Sequence, residues 1–168
     1  ARRAVGFNMD VIYHSRNRIS AQLEEAIGAH YVTFDELLRE SDILSVNCPL
    51  TPETKGVFGR DEFSKMKKTC TFVNTSRGPI VQEAVLAKAL DTGDIAFAGI
   101  DVYEDEPSID AALLECTNAL LMPHIGSATL ATRTAMATLA AENIISVLNG
   151  DTPITPVNTI NFIEPGKD

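Results

Sequence analysis

No apolar stretch in the sequence approaches the roughly 20 residues that a membrane-crossing helix needs. Residues 1–6, Ala1-Arg2-Arg3-Ala4-Val5-Gly6, contain neither an initiator Met nor the apolar core of a signal peptide. The expectation is therefore a fragment of a longer chain. Positive charge is scarce: 14 Lys and Arg face 23 Asp and Glu, for a formal net charge of −9. Neutralising phosphates takes a basic surface, so neither nucleic acid nor an anionic membrane is an expected partner. Cysteine is scarce too. Cys48, Cys70 and Cys116 are odd in number, far apart and mostly set among apolar residues. They offer no disulfide framework and no zinc spacing, which points to a reducing, cytoplasmic setting. His14, His30 and His124 do not fall at metal-ligand spacings either, so no metal is expected. A Gly-x-Ser-x-Gly nucleophile elbow and a Gly-Lys-Ser/Thr phosphate loop are both missing. There is no internal repeat and no low-complexity segment.

What is present suits an ordinary globular domain. The 168 residues are 45% hydrophobic and 22% charged, enough to bury a substantial core. Ala1–Val5 reads as the end of a helix closed by Gly6 in a left-handed conformation. Short apolar strands are predicted at Asp10–Tyr13, Ile43–Cys48, Thr71–Asn74, Phe97–Val102 and Leu120–Met122. Helices are predicted over Phe34–Arg39, behind a Thr33-x-x-Glu36 capping box, and over Phe58–Met66. A further helix runs from Pro79 to Gly93 with Val81, Val85, Leu86, Ala89 and Leu90 on one face. A long one starts from a Ser127 cap and ends at Gly150, with residues 1–150 forming the domain. Residues 151–168 contain three prolines and read as a connecting arm. Apolar strands alternating with helices give an α/β fold around a parallel sheet covered by helices on both faces. In such folds ligands sit at the carboxyl ends of the strands.

Three motifs lie at such ends: Asn74-Thr75-Ser76-Arg77-Gly78, Asp101-Val102-Tyr103-Glu104-Asp105-Glu106-Pro107 and Pro123-His124-Ile125-Gly126. An Arg in a turn is more commonly a solvent-facing residue. Arg77, however, is flanked by small residues that let a ligand approach the backbone. Its guanidinium can grip a carboxylate through two parallel bonds and polarise the adjacent carbonyl. A lone His is more often structural, but His124 follows a strand and precedes a helix cap. Imidazole, with an ordinary pKa of about 6.5, can donate a proton near neutrality, and a neighbouring carboxylate favours its charged form. Glu104 and Asp105 read as solvated. Asp101 and Glu106 are the better candidates for that carboxylate, and the residues alone do not decide between them.

On these motifs, together with Tyr13-His14-Ser15-Arg16 and Asn47-Cys48-Pro49-Leu50-Thr51, the chain resembles the D-isomer-specific 2-hydroxyacid dehydrogenases. The likeness covers residues 1–158 and is to their nucleotide-binding domain, a Rossmann-type doubly wound parallel sheet. It implies an NAD(P)-dependent oxidoreductase that reduces small 2-keto acids to 2-hydroxy acids. In that reading Arg77 holds the substrate carboxylate and carbonyl, His124 is the acid–base residue and Glu106 its partner. Asp101 contacts the nicotinamide carboxamide. His14, Ser15, Arg16, Cys48, Pro49, Thr54, Thr75, Ser76, Asp101, His124 and Gly126 line the cofactor. Tyr13-x-Ser15-Arg16 resembles the glyoxylate and hydroxypyruvate reductase branch, and relatives imply a homodimer.

NAD-preferring relatives place an Asp after the second strand to bind the ribose hydroxyls. Here His14-Ser15-Arg16 has no acid, and Arg16 or Arg18 can meet a 2′-phosphate, so NADP(H) is expected, with NAD(H) as the alternative. Two other functions share this domain: a nucleotide-sensing corepressor, and a related phosphoglycerate or formate dehydrogenase. Glu106 speaks against the formate branch, which has Gln there. The Gly-x-Gly-x-x-Gly turn and its strand, which relatives have upstream of Ala1, are absent from the sequence. In the family order 3-2-1-4-5-6-7 that strand lies mid-sheet. Its absence predicts two strand groups with unpaired interior edges and poor stability for these 168 residues alone.

Overall fold

The computed structural model describes residues 1–158. Two compact units divide at Ile125/Gly126. The first opens with α1 (Arg2–Val5), β1 (Val11–Tyr13), α2 (Ala21–Ile27), β2 (Ala29–Tyr31) and α3 (Phe34–Glu40). It continues through β3 (Ile43–Val46), α4 (Arg60–Lys65), β4 (Thr71–Asn74) and a 3₁₀ turn at Gly78–Ile80. The remaining elements of this unit are α5 (Glu83–Thr92), β5 (Phe97–Ile100), α6 (Ala111–Leu114) and β6 (Ala119–Leu121).

Every strand pair is parallel. The strands fall into the two expected groups, β1-β2 and β3-β4-β5-β6. Among the described residues β1 and β3 each keep one unpaired edge. Register is level across the larger group: Val46 pairs with Asn74, Asn74 with Ile100, and Ile100 with Leu121. The loops after four successive strands therefore leave from one line.

Burial alternates along this sheet. Leu44, Val46, Phe72, Ala98 and Ile100 are buried and join Leu38, Phe63, Leu86 and Leu113 from α3, α4, α5 and α6 in one core cluster, with the polar Asn74 buried at the end of β4. Phe34, Phe58, Phe63 and Phe72 meet edge-on or tilted at 5.1–6.5 Å within it, the geometry ring quadrupoles favour. The opposite face of the strands carries Ile43 and Phe97, both more than half exposed.

Local chemistry sets the boundaries. The Thr33 capping box forms as expected: Thr33 Oγ1 accepts from Glu36 N, and Glu36 accepts the Thr33 N–H at 2.8 Å. Gly93, at φ +71°, ends α5 in the left-handed region that favours glycine. Gly6 differs from expectation. Its φ is −65°, and the chain reverses through Asn8 at φ +54° instead. The helix expected from Pro79 is split. Phe58 bridges to Val81 as an extended pair, which occupies the backbone up to Gln82 and delays α5 to Glu83.

The second unit contains α7 (Leu130–Leu148), capped by Thr129, whose Oγ1 accepts from Thr132 N, rather than by Ser127. The segment after it folds back on the helix. Asn143 bonds both Oγ1 and N of Thr155 at 3.0 Å, and Ser146 Oγ donates to Thr152 O.

Candidate active site

The three motifs follow β4, β5 and β6, adjacent strands whose ends are level. His124 Nδ1 lies 2.8 Å from Glu106 Oε2. Glu106 uses its other oxygen to accept the Tyr103 N–H at 3.0 Å. The bond from His124, then that from Tyr103, holds the Glu106 carboxyl below the usual range for a glutamate. Glu106 is thus ionised at neutral pH. It accepts Nδ1–H and leaves Nε2 as the imidazole nitrogen for a reacting group. The Glu106–Pro107 peptide is cis.

His124 itself sits at φ +53°, a conformation uncommon for a side-chain-bearing residue. Neighbouring bonds impose it. Its N–H donates to Met122 O at 3.1 Å, and the next amide, Ile125 N–H, donates to Asp101 Oδ1 at 2.8 Å. Tyr103 braces the same turn, its hydroxyl donating to Met122 O at 2.8 Å. Asp101 and Glu106, left open as partners of His124, take separate tasks: Glu106 meets the ring and Asp101 the backbone beyond it.

Arg77 is exposed, with Nη1 donating to Ser76 O at 2.7 Å, its one side-chain hydrogen bond among the described residues. Asn74 shapes the turn beneath it, donating to Arg77 O at 3.0 Å and accepting from Ser76 N at 3.1 Å. Gly78 is required by contact. A Cβ there would lie 1.9 Å from both the carbonyl carbon and oxygen of Tyr103. The Arg77 turn and the Glu106 loop therefore touch backbone to backbone.

Asn47, Cys48, Pro49, Leu50, Ser76 and Arg77 line a cleft of about 470 Å³ beside this turn. Ser76 Oγ donates to Cys48 O and closes its floor. Thr54 Oγ1 donates to Pro49 O at 2.7 Å and accepts from Thr51 N at 2.8 Å, fixing the loop on its rim. Thr75 is exposed, and Gly126 opens the second unit. The cleft, the exposed Arg77 guanidinium and the level strand ends suit a dinucleotide with an anionic substrate beside it.

After β1 the expected residues separate by role. His14 Nδ1 is 3.0 Å from Val32 O, and its ring packs against Tyr31 and Phe34. Ser15 Oγ donates to Asn17 O at 2.6 Å. Arg18, one of two candidates for a phosphate, is already engaged. It forms a two-pronged pair with Glu24 at 2.8 Å for both contacts, and Tyr13 OH adds a third bond to that carboxylate at 2.7 Å. These bonds hold the Glu24 carboxyl at about 2, with Arg18 the largest cause. Arg16 is exposed and makes no hydrogen bond or ion pair among the described residues. Its charge reaches Glu53 in the loop after β3, whose carboxyl lies below its ordinary range chiefly through the Thr51 hydroxyl. Sequence reasoning missed Glu24, Gly78, Glu83 and Tyr103. Only Gly78, next to a candidate Arg, carried a signal.

A parallel sheet with polar groups along its carboxyl edge is the architecture of a nucleotide-binding domain. The sequence model of the D-isomer specific 2-hydroxyacid dehydrogenase NAD binding domain matches residues 1–126, and the chain belongs to that family. The glyoxylate reductase of Thermococcus litoralis is 48% identical over 158 residues, covering 94% of this chain and 47% of the relative. The crystal structure of a glyoxylate reductase from Paecilomyes thermophila superimposes with a TM-score of 0.83 at 42% identity, covering 93% of this chain and 47% of that one. An NADPH-dependent glyoxylate/hydroxypyruvate reductase from Sinorhizobium meliloti, solved with NADP and malonate, gives 0.84 at 34% identity, covering 93% and 48%. The chain spans about half the length of the curated relatives it matches.

Proposed function

We propose that the full-length protein reduces small 2-keto acids to D-2-hydroxy acids, with glyoxylate and hydroxypyruvate as substrates and NADP(H) preferred over NAD(H). The observation that carries this reading is the Glu106–His124 pair on the strand ends next to the Arg77 turn. Arg77 anchors the substrate carboxylate with parallel N–H bonds and withdraws density from the neighbouring carbonyl. Reduced nicotinamide, when bound, supplies the hydride to the keto carbon. His124 gives its Nε2 proton to the oxygen as negative charge develops there. Glu106, held ionised below the usual range of a glutamate, accepts Nδ1–H and keeps the ring in the required tautomer. In the oxidising direction His124 accepts the proton.

The cofactor would lie along Cys48, Pro49, Thr54, Thr75, Ser76, Asp101 and Gly126, with Ser15 and Arg16 toward its ribose. Asp101, whose Oδ1 accepts the Ile125 N–H, would take the carboxamide role. NADP(H) is supported by the unengaged Arg16 and by the NADP bound in the Sinorhizobium relative. The test is the rate of NADPH and NADH oxidation by the full-length protein with glyoxylate and with hydroxypyruvate. Turnover with a higher kcat/KM for NADPH is expected. Cofactor binding without turnover of either acid would refute the reading and favour a sensing protein.

A further inference from the structure

Glu83 is a buried carboxylate that the reaction just described does not use. It is the first residue of α5, six positions after Arg77 and joined to it by the Gly78–Ile80 turn. Both its oxygens accept from the loop carrying Glu106: one from Glu104 N–H, the other from Asp110 N–H at 3.1 Å. These amides flank Glu106, two residues before it and four after, so a single carboxylate closes the loop at its neck. A buried carboxylate depends on its hydrogen bonds to offset the cost of leaving water, and removing one of two backbone donors leaves it half-satisfied at a large cost.

The loop is fixed on its other side to the turn of His124. Glu106 accepts the Tyr103 N–H, and Tyr103 OH donates to Met122 O two residues before His124. Gly78 abuts the Tyr103–Glu104 peptide between these anchors. A continuous path thus runs from the Arg77 turn through Glu83 to the Glu104 and Asp110 amides, and from the loop through Glu106 to the imidazole. We propose that Glu83 is a positioning residue: it sets where the Glu106–His124 pair stands relative to the Arg77 guanidinium. This rests on His124 being the proton donor.

The clamp predicts a separation of kinetic constants. Glu83→Gln retains the shape but turns an N–H₂ toward one of the two amides, so one loop bond becomes a donor–donor contact. Arg77 and the cofactor cleft are untouched. KM for glyoxylate and NADPH affinity should stay within about twofold, while kcat falls by about 10- to 100-fold, the scale expected of a misplacement near 1 Å. The pH profile of kcat/KM should change too. With Glu106 no longer held on the ring, the profile should depart from wild type in the same way as that of Glu106→Gln. Glu106 is the carboxylate on the ring, and Asp101 is the other ionised group whose charge reaches Glu106. Neither is altered by the substitution.

The experiment measures kcat, KM and the pH profile of the full-length enzyme with NADPH and glyoxylate for wild type, Glu83→Gln and Glu106→Gln. Loss of kcat and the same change of profile in both variants support the clamp. Loss in Glu106→Gln with a wild-type profile in Glu83→Gln overturns the clamp alone. A wild-type profile in Glu106→Gln overturns the proton-donor reading and the clamp with it. Should Glu83→Gln fail to fold, amide exchange in the wild-type protein decides. Slow exchange at Glu104 and Asp110 supports the clamp, and exchange at the rate of an open loop overturns it.

Discussion

Replacing Gly78 with Ala tests how rigidly the two loops are joined. The added Cβ would meet Tyr103 C and O at 1.9 Å and Glu104 N at 2.5 Å, all backbone atoms that no rotamer change can move aside. Ordinary contact begins near 3.4 Å, so the loops must part by roughly 1.5 Å. Overpacking a close-packed site costs about 1–3 kcal/mol, and a backbone obstacle belongs at the upper end. The displacement acts along the line from the Arg77 turn to the Glu106 loop. It therefore falls on the spacing between substrate anchor and proton donor, where about 1 Å is worth about 100-fold in rate. The full-length Ala variant should melt several degrees lower and lose about two orders of magnitude in kcat/KM for glyoxylate. Thermal unfolding and steady-state kinetics read both. Wild-type values for both would show that the loops slide past each other freely, and the reasoning would fail.

His124→Ala should lower kcat by about 100- to 10,000-fold, the usual worth of a positioned acid–base group, with NADPH binding by fluorescence titration nearly unchanged. Full turnover in that variant would sink the role assigned to His124. Arg16→Ala should raise KM for NADPH by about tenfold or more, since charge-assisted bonds are worth about 1.5–3 kcal/mol, and leave KM for NADH alone. Equal effects on both cofactors would place Arg16 away from the 2′-phosphate. Glu24 offers a test of stability against pH. Its carboxyl is lowered from 4.5 to about 2 in the fold, so ionisation stabilises the folded state fully above about pH 5 and that contribution fades as pH falls toward 2. Glu24→Gln should thus lower the urea midpoint at pH 7 and converge on wild type in acid. A gap that stays constant with pH would contradict the assignment.

The strands β3, β4 and β5 were legible as short, mostly apolar runs between turn formers, and the structure buries alternate residues of each. The Thr33 box was legible because its two bonds are local to four residues. β2 was not: Ala29-His30-Tyr31 carries one charged-capable residue in three, and only pairing with β1 makes it a strand. The four-residue α6 is too short to show a period, and its Asp110 cap lay in a stretch where no element was expected. At the site, Arg77, Glu106 and His124 stood out because each is a reactive type beside a strand end. Which carboxylate faces the imidazole depended on a contact eighteen residues apart, which the sequence does not encode locally. The task of Arg18 was hidden for the same reason, since its partner Glu24 lies on the following helix.

Level strand ends give each polar group a loop of its own, so a site of this kind can be altered one loop at a time. The β4 and β5 loops are the exception. Gly78 fits only against the peptide it touches, and Glu83 only a neck with two amides to offer. A changed length or path in either loop leaves the other with a clash or an unanswered buried charge. These two loops must therefore be inherited together. In grafts or chimaeras of this domain a crossover between residues 78 and 110 should fail where one on either side succeeds.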